Sequence, residues 1–303
     1  MANTKTDEKL QKIAKDLLES GEVSLIIGYA KGSNPQRMRP LFITKAEEAG
    51  KLSFSPHAVQ DLAVFLKKPE VKKFGKIGII VKGCDEKAVN ALIQEYQISR
   101  DNIKIIGVEC NGVIKQNLAD KGETNVSESA VYDKCLICEE HIPVMYDFLV
   151  ESEEPKLVLS GNVKPYSGIE KLESMSAEEK NAFWAQEFDK CIKCYACRQV
   201  CPLCYCSRCI VEKNMPQWID TNSEETGNAQ WNLIRAYHLS GRCIGCGECE
   251  RACPVNIPLM LINEKMAKDV YNMFGYKSGL DINVSRFSEF SAKAISTTLL
   301  NKK

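Results

Sequence analysis

The 303 residues carry 40 Lys plus Arg against 40 Asp plus Glu, a balance that gives no electrostatic drive toward nucleic acid or an anionic membrane. The longest apolar runs, such as "SLIIG" and "IGIIV", are strand-sized, far below the ~18 residues of a membrane helix, and "MANTKTDEKLQK" lacks the apolar stretch of a signal peptide. Fifteen cysteines in a long chain without such a signal argue against a disulfide scaffold and for a cytoplasmic protein that binds metal through thiolates.

Residues 6–20 read as an amphipathic helix stopped by Gly21. "VSLIIG" (23–28) and "LFIT" (41–44) read as strands, and "HAVQDLAVFLKK" (57–68) as a helix. "KIGIIVKGCD" is a strand entering a Gly-Cys turn, "EKAVNALIQEYQ" a helix, and "NIKIIGVECNG" a second strand that runs into a cysteine. Strands alternating with helices predict a mostly parallel α/β sheet over residues 1–150, with 119–133 as a polar loop. A connector spans 151–187; its helix "SMSAEEKNAFWAQEFDK" opens on Ser176 and Glu179, spaced as a capping box. Residues 188–275 are expected to form a mainly α domain with helices at "AQWNLIRAYHLSG" and "PLMLINEKMAKDVYNMFG", followed by a loosely packed tail over 276–303.

Within that domain Cys191-x2-Cys194-x2-Cys197-x3-Cys201-Pro202 recurs as Cys243-x2-Cys246-x2-Cys249-x3-Cys253-Pro254. A lone CxxC pair would suit zinc equally; two copies of a four-cysteine run ending in Cys-Pro resemble the two-cluster bacterial ferredoxins. There, three cysteines of one loop grip one cubane and the fourth ligates the other. The resemblance, over roughly 188–258, implies two 4Fe-4S clusters, one on Cys191, Cys194, Cys197 and Cys253 and its twin on Cys243, Cys246, Cys249 and Cys201. Ala196, Gly245 and Gly247 leave room for backbone N–H groups near the sulfurs. Lys190, Lys193, Arg198 and Arg208, with no acid among them, are solvated surface or a field that favours the reduced cluster.

The N-terminal half holds Cys84, Cys110, Cys135 and Cys138 in the pattern C-x25-C-x24-C-x2-C. Cys84 and Cys110 both follow strands, and parallel strands deliver such residues to one edge of the sheet. "KCLIC" can close a four-thiolate site from a third loop. A further 4Fe-4S cluster, zinc, or small buried hydrophobes are the readings for this set.

"RPLFIT", "FSPHAVQDLAVFL", "KIGIIVKGCD", "NIKIIGVECNGVI" and "CLICEEHIPVMYD" together resemble the N-terminal part of the beta-subunit family of deazaflavin-reducing hydrogenases and related dehydrogenases, over about residues 20–150. That family carries flavin and iron–sulfur clusters and passes electrons between a hydride carrier and a metalloenzyme. In typical members the ferredoxin module precedes this domain, whereas here it follows. About fifty residues remain after Cys253, too few for the further lobe that helps hold flavin, so no flavin-binding residue is carried over. The only "GxG", at Gly245 and Gly247, lies inside a cysteine loop, and there is no Walker-type phosphate loop.

His57, His141 and His238 are expected to be structural, with His141, three residues after Cys138, the best placed to differ. Trp184, Trp218 and Trp231 are expected to pack around the cysteine region. No nucleophile–base set and no carboxylate pair can be argued from spacing. Cys204, Cys206 and Cys209 are left over; either they pack as buried thiols beside Leu203 and Tyr205, or they bind an extra cluster or zinc completed by a ligand from elsewhere. The expectation is a non-catalytic iron–sulfur electron-transfer subunit of a multisubunit anaerobic redox enzyme. The resemblance implies hydrogenase, formate dehydrogenase, heterodisulfide-reductase-type or flavoprotein partners. The alternative is a flavin-dependent oxidoreductase, with FAD, that takes hydride from a deazaflavin or nicotinamide. A zinc-stabilised binding module is a distant third.

Overall fold

The structure is a computed structural model that describes residues 4–153, 155–160 and 167–284. The chain divides into two compact units, Met1–Pro165 and Tyr166–Lys303. The tail expected over 276–303 lies, beyond Val284, outside the described residues. Among the described residues no helix is long and apolar enough to cross a membrane.

The first unit is built on a five-stranded sheet of order β2-β1-β3-β4-β5. Its strands are β1 (Leu25–Lys31), β2 (Met38–Ile43), β3 (Ile77–Val81), β4 (Ile103–Val108) and β5 (Phe148–Val150). β1, β3, β4 and β5 pair in parallel, and β2 is an antiparallel edge. The sheet is therefore mostly parallel, as the strand–helix alternation predicts. β3 is buried along its whole length and β4 nearly so, the pattern of strands covered on both faces. The N-terminal helix Lys5–Glu19 starts where the Thr4 side chain accepts from the Asp7 N–H. It ends ahead of Gly21, whose φ of +72° no helix continues.

The helix expected over 57–68 does not form; only Leu62–Phe65 make a 3-10 turn. The Gln60 carbonyl, which a helix would bond to an N–H four residues on, instead accepts from the Tyr29 hydroxyl at 2.6 Å and from Lys82 Nζ at 3.1 Å. The Asp61 carboxylate accepts from the Ala63 N–H at 2.9 Å and turns the chain locally. Side chains brought in from the sheet have overridden a helical pattern.

The second unit is helical. Its main helices are Ser167–Ser174, Ala177–Asp189, Glu225–His238 and Leu259–Phe274. The capping box at Ser176 and Glu179 is present in both directions. Ala177–Asp189 packs against Glu225–His238. The core there gathers Phe188, Trp231, Ile219, Ile257 and Leu259 together with Cys197 and Cys249. The largest aromatic side chains thus sit directly behind two of the motif thiols. Trp184 stacks on Phe188 and Trp231 meets Tyr195 edge-on. Trp218, expected to pack, is instead 65% exposed.

Candidate metal centre

Three segments carry the N-terminal cysteines. The helix after β3 is Gly83–Gln94, so Cys84 lies in its first turn rather than in a preceding loop. Cys110 follows β4, Cys135 belongs to the short turn Asp133–Leu136, and Cys138 comes after it. Burial pushes the Cys110 thiol up to about 12, with Cys135 adding to the rise against the pull of Lys82. Burial, then Asp85, holds Cys84 well above the usual thiol range, and Cys110 contributes. Cys138 is raised by burial and by Cys135. Buried thiols of this kind become good thiolates only when a cation takes the place of their protons.

The same loops supply donors to the sulfurs. The Val113 N–H points at Cys135 Sγ, 3.4 Å away, and the Gly112 and Glu140 amides favour the thiolates of Cys110 and Cys138. The loop after Cys138 is locked onto the helix. A Cβ at Gly83 would lie 2.0 Å from the Glu140 carbonyl oxygen, so only glycine allows the backbones to cross there. The Glu140 carboxylate pairs with Lys87 at 2.8 Å. His141 is tied to Cys110 through the main chain: the Cys110 N–H donates to the His141 carbonyl at 2.8 Å, and His141 Nδ1 lies 3.1 Å from the Cys110 carbonyl oxygen. It orders the loop. His57 Nε2 lies 3.0 Å from the Glu123 carbonyl oxygen, a structural role.

Beneath Cys84 sits a buried ionic knot that sequence reasoning missed. Lys82 Nζ is 2.6 Å from Asp85 Oδ2, with both side chains at most 1% exposed. The Tyr29 hydroxyl bonds to both. Burial opposes the charge on Lys82, but Asp85 and the thiols of Cys84 and Cys110 outweigh it and hold the lysine above its ordinary value.

In the second unit the two motif copies share one backbone design. Lys193 (φ 50°) and Gly245 (φ 73°) precede the second cysteine of each copy, and Tyr195 (φ 57°) and Gly247 (φ 71°) follow it. All four are left-handed, which curls each CxxCxxC segment into a bowl. Each bowl runs into one helical turn, Ala196–Gln199 or Glu248–Arg251. Cys243, Cys246 and Cys249 of the second bowl line one solvent-open cavity together with Cys201 of the first copy. Cys197 is raised by burial and then, against the pull of Arg235, by Cys191, Cys194 and Cys253. Cys201 of the first copy thus lines the same cavity as three cysteines of the second.

Among the described residues no three Cys, His, Asp or Glu side chains are grouped as a site for a single metal ion. Asn263 Nδ2 approaches Cys249 Sγ at 3.6 Å.

The most informative residue was also invisible to spacing. Arg235, 4% exposed, donates through Nη2 to the Cys197 carbonyl at 3.1 Å, and its buried Nε has no partner. Burial opposes its charge, but the thiols of Cys249, Cys201, Cys204 and Cys197 outweigh that and raise its pKa. One cation thus touches both crossed sets. The four basic residues singled out in the sequence are engaged elsewhere: Lys190 by Glu187, Lys193 by the Asp220 carbonyl, Arg198 by Glu212 and Arg208 by the Glu212 carbonyl. Arg235 could have been suspected as a cation one turn from Trp231, on the buried face of its helix.

A family model for a 4Fe-4S dicluster domain matches residues 169–257. F420-dependent formate dehydrogenase subunit beta of Methanocaldococcus jannaschii is 27% identical over 347 aligned residues, covering 88% of this chain and 90% of the relative. F420-dependent formate dehydrogenase 1 subunit beta of Methanococcus maripaludis is also 27% identical, covering 88% and 89%. Acetyl-CoA decarbonylase/synthase complex subunit alpha 1 of Methanosarcina acetivorans is 26% identical over 67% of this chain and 22% of its own length. A solved chain of the F420-reducing NiFe hydrogenase complex from Methanosarcina barkeri aligns with 40% of this chain and 42% of its own, at 19% identity and a TM-score of 0.31.

Proposed function

We propose, for a chain that carries a 4Fe-4S dicluster domain and resembles formate dehydrogenase beta subunits along most of its length, that it is a cytoplasmic iron–sulfur electron-transfer subunit of a multisubunit redox enzyme. The observation that carries the reading is the cavity lined by Cys243, Cys246 and Cys249 of one motif copy and Cys201 of the other. A 4Fe-4S cluster supplies reversible one-electron chemistry. The residues hold it, exclude water and set its charge. Cys191, Cys194, Cys197 and Cys253 would hold one cluster and Cys201, Cys243, Cys246 and Cys249 the second. Cys84, Cys110, Cys135 and Cys138 would hold a third in the sheet unit. Arg235 offers the first two a buried positive charge and an unused N–H, and the Trp231 and Phe188 side chains keep water from their backs.

Donors and acceptors are proposed to be partner subunits of the formate dehydrogenase or hydrogenase type. A second reading, hydride acceptance from a deazaflavin through a bound FAD, is favoured by the F420 dependence in the names of the two beta subunits. Anaerobic purification with iron, acid-labile sulfide, zinc and flavin counted on one sample separates these. Abundant iron and sulfide without flavin is expected, while stoichiometric flavin would favour the second reading. Cys246→Ser should remove about four irons and weaken the twin cluster, because the ligand sets cross. Unchanged iron, sulfide and EPR signal in that variant would overturn the assignment.

A further inference from the structure

The Cys204-x-Cys206-x2-Cys209 triplet is used by none of the sites above. The packing explanation requires buried thiols, yet Cys206 is exposed and Cys204 and Cys209 are only partly covered. The Arg242 guanidinium lies over the Tyr205 ring, 5.2 Å from the centroid. Three accessible thiols this close are prone to oxidation, a liability that ligation removes.

The three cysteines line one solvent-open pocket, and His238 from the end of the Glu225–His238 helix lines it with them. Its walls also carry Arg198, Arg235 and Arg242 and no carboxylate-bearing residue, the surroundings of an anionic group. The Glu212 carboxylate, which accepts from the Cys209 N–H at 2.8 Å, pairs with Arg198 and offsets its charge, leaving Arg235 and Arg242 as the remaining cations of the lining. Arg235 borders both this pocket and the cavity of the second motif copy, and its buried, unpartnered Nε–H is an unmet donor that a thiolate or sulfide would satisfy. The helix brings Trp231, Ile234, Arg235 and His238 to this cavity at the i, i+3, i+4, i+7 spacing of one helical face.

We propose that Cys204, Cys206 and Cys209 hold a further iron–sulfur cluster in this cavity, with the His238 imidazole as its fourth ligand. Histidine is an established substitute for cysteine on cluster iron.

The test uses the full-length protein. A Cys204→Ser/Cys206→Ser/Cys209→Ser variant retains all eight motif cysteines and the four N-terminal ones. Purified anaerobically beside the wild type, it should lose about four irons and four sulfides per chain, with zinc unchanged and the other reduced clusters still visible by EPR. Equal iron and sulfide in the two proteins, or loss of one zinc in place of iron, would overturn the proposal while leaving the electron-transfer reading intact. A wild type without any iron would overturn both. Should the triple variant fail to fold, the exposed His238 gives a second measurement. One reduced wild-type cluster should show nitrogen hyperfine coupling by ENDOR, lost in His238→Cys with iron content retained. No such coupling, or coupling that survives the substitution, would overturn the proposal.

Discussion

Arg235 reaches across 38 positions of sequence to donate from Nη2 to the carbonyl of Cys197 at 3.1 Å. The bond holds to the first motif copy a guanidinium that also lines the cavity of the second, so its helix would be part of the proposed cluster site and not merely its scaffold. A unit charge acting through an effective dielectric of about 20 is worth a few kcal/mol at close range, on the order of 100 mV for one electron. Arg235→Gln should lower the potentials of the dicluster domain by that order, while Arg235→Lys should restore most of the shift. Spectroscopic redox titration of the three proteins measures it; a Gln variant with wild-type potentials and normal cluster content would refute the electrostatic role.

Gly83→Ala tests the crossing of the two loops in the sheet unit. Its new Cβ would meet the Glu140 carbonyl oxygen at 2.0 Å, and backbone cannot give way as a flexible side chain can. A loss of about 2–4 kcal/mol is expected, read as a lower denaturant midpoint and as fewer irons taken up during reconstitution.

Gly245→Ala makes the opposite case. No atom lies within 4 Å of its would-be Cβ, so the only cost is the left-handed backbone at φ +73°, about 1–2 kcal/mol. Iron content should be unchanged and thermal stability slightly reduced. Wholesale loss of a cluster would mean that contacts rather than conformation make this position glycine.

Lys82→Met leaves Asp85 buried without its cation. Breaking such a pair costs about 3–5 kcal/mol, whereas Lys82→Met combined with Asp85→Leu should cost clearly less than the sum of the two single changes. A double-mutant cycle in urea gives the coupling directly, and strict additivity would show that the pair acts only as packing volume.

The cysteine spacing, the parallel strands and the Ser176 capping box could be read in the sequence because each depends on residues close together in the chain. The 57–68 segment misled because its fate is decided by Tyr29 and Lys82, which claim the Gln60 carbonyl from the sheet. Gly83 looked like an ordinary turn residue; what makes it glycine is a carbonyl 57 positions later. Arg235 and His238 belong to an unremarkable amphipathic pattern, and only the folded helix turns them toward thiols. Proximity in space between distant segments is what periodicity and spacing do not encode.

The two cysteine bowls have the same backbone but different linings. The second uses Gly245 and Gly247 at its left-handed positions, bare of side chains. The first uses Lys193, whose Nζ reaches the Asp220 carbonyl at 2.6 Å, and Tyr195, braced edge-on against Trp231. The two clusters proposed for these bowls would sit in unlike solvent and dipolar surroundings and so would not share one potential. Under that proposal an electron crossing the domain would meet a step and not a level, and duplicated sequence would become a gradient with a preferred resting place for charge.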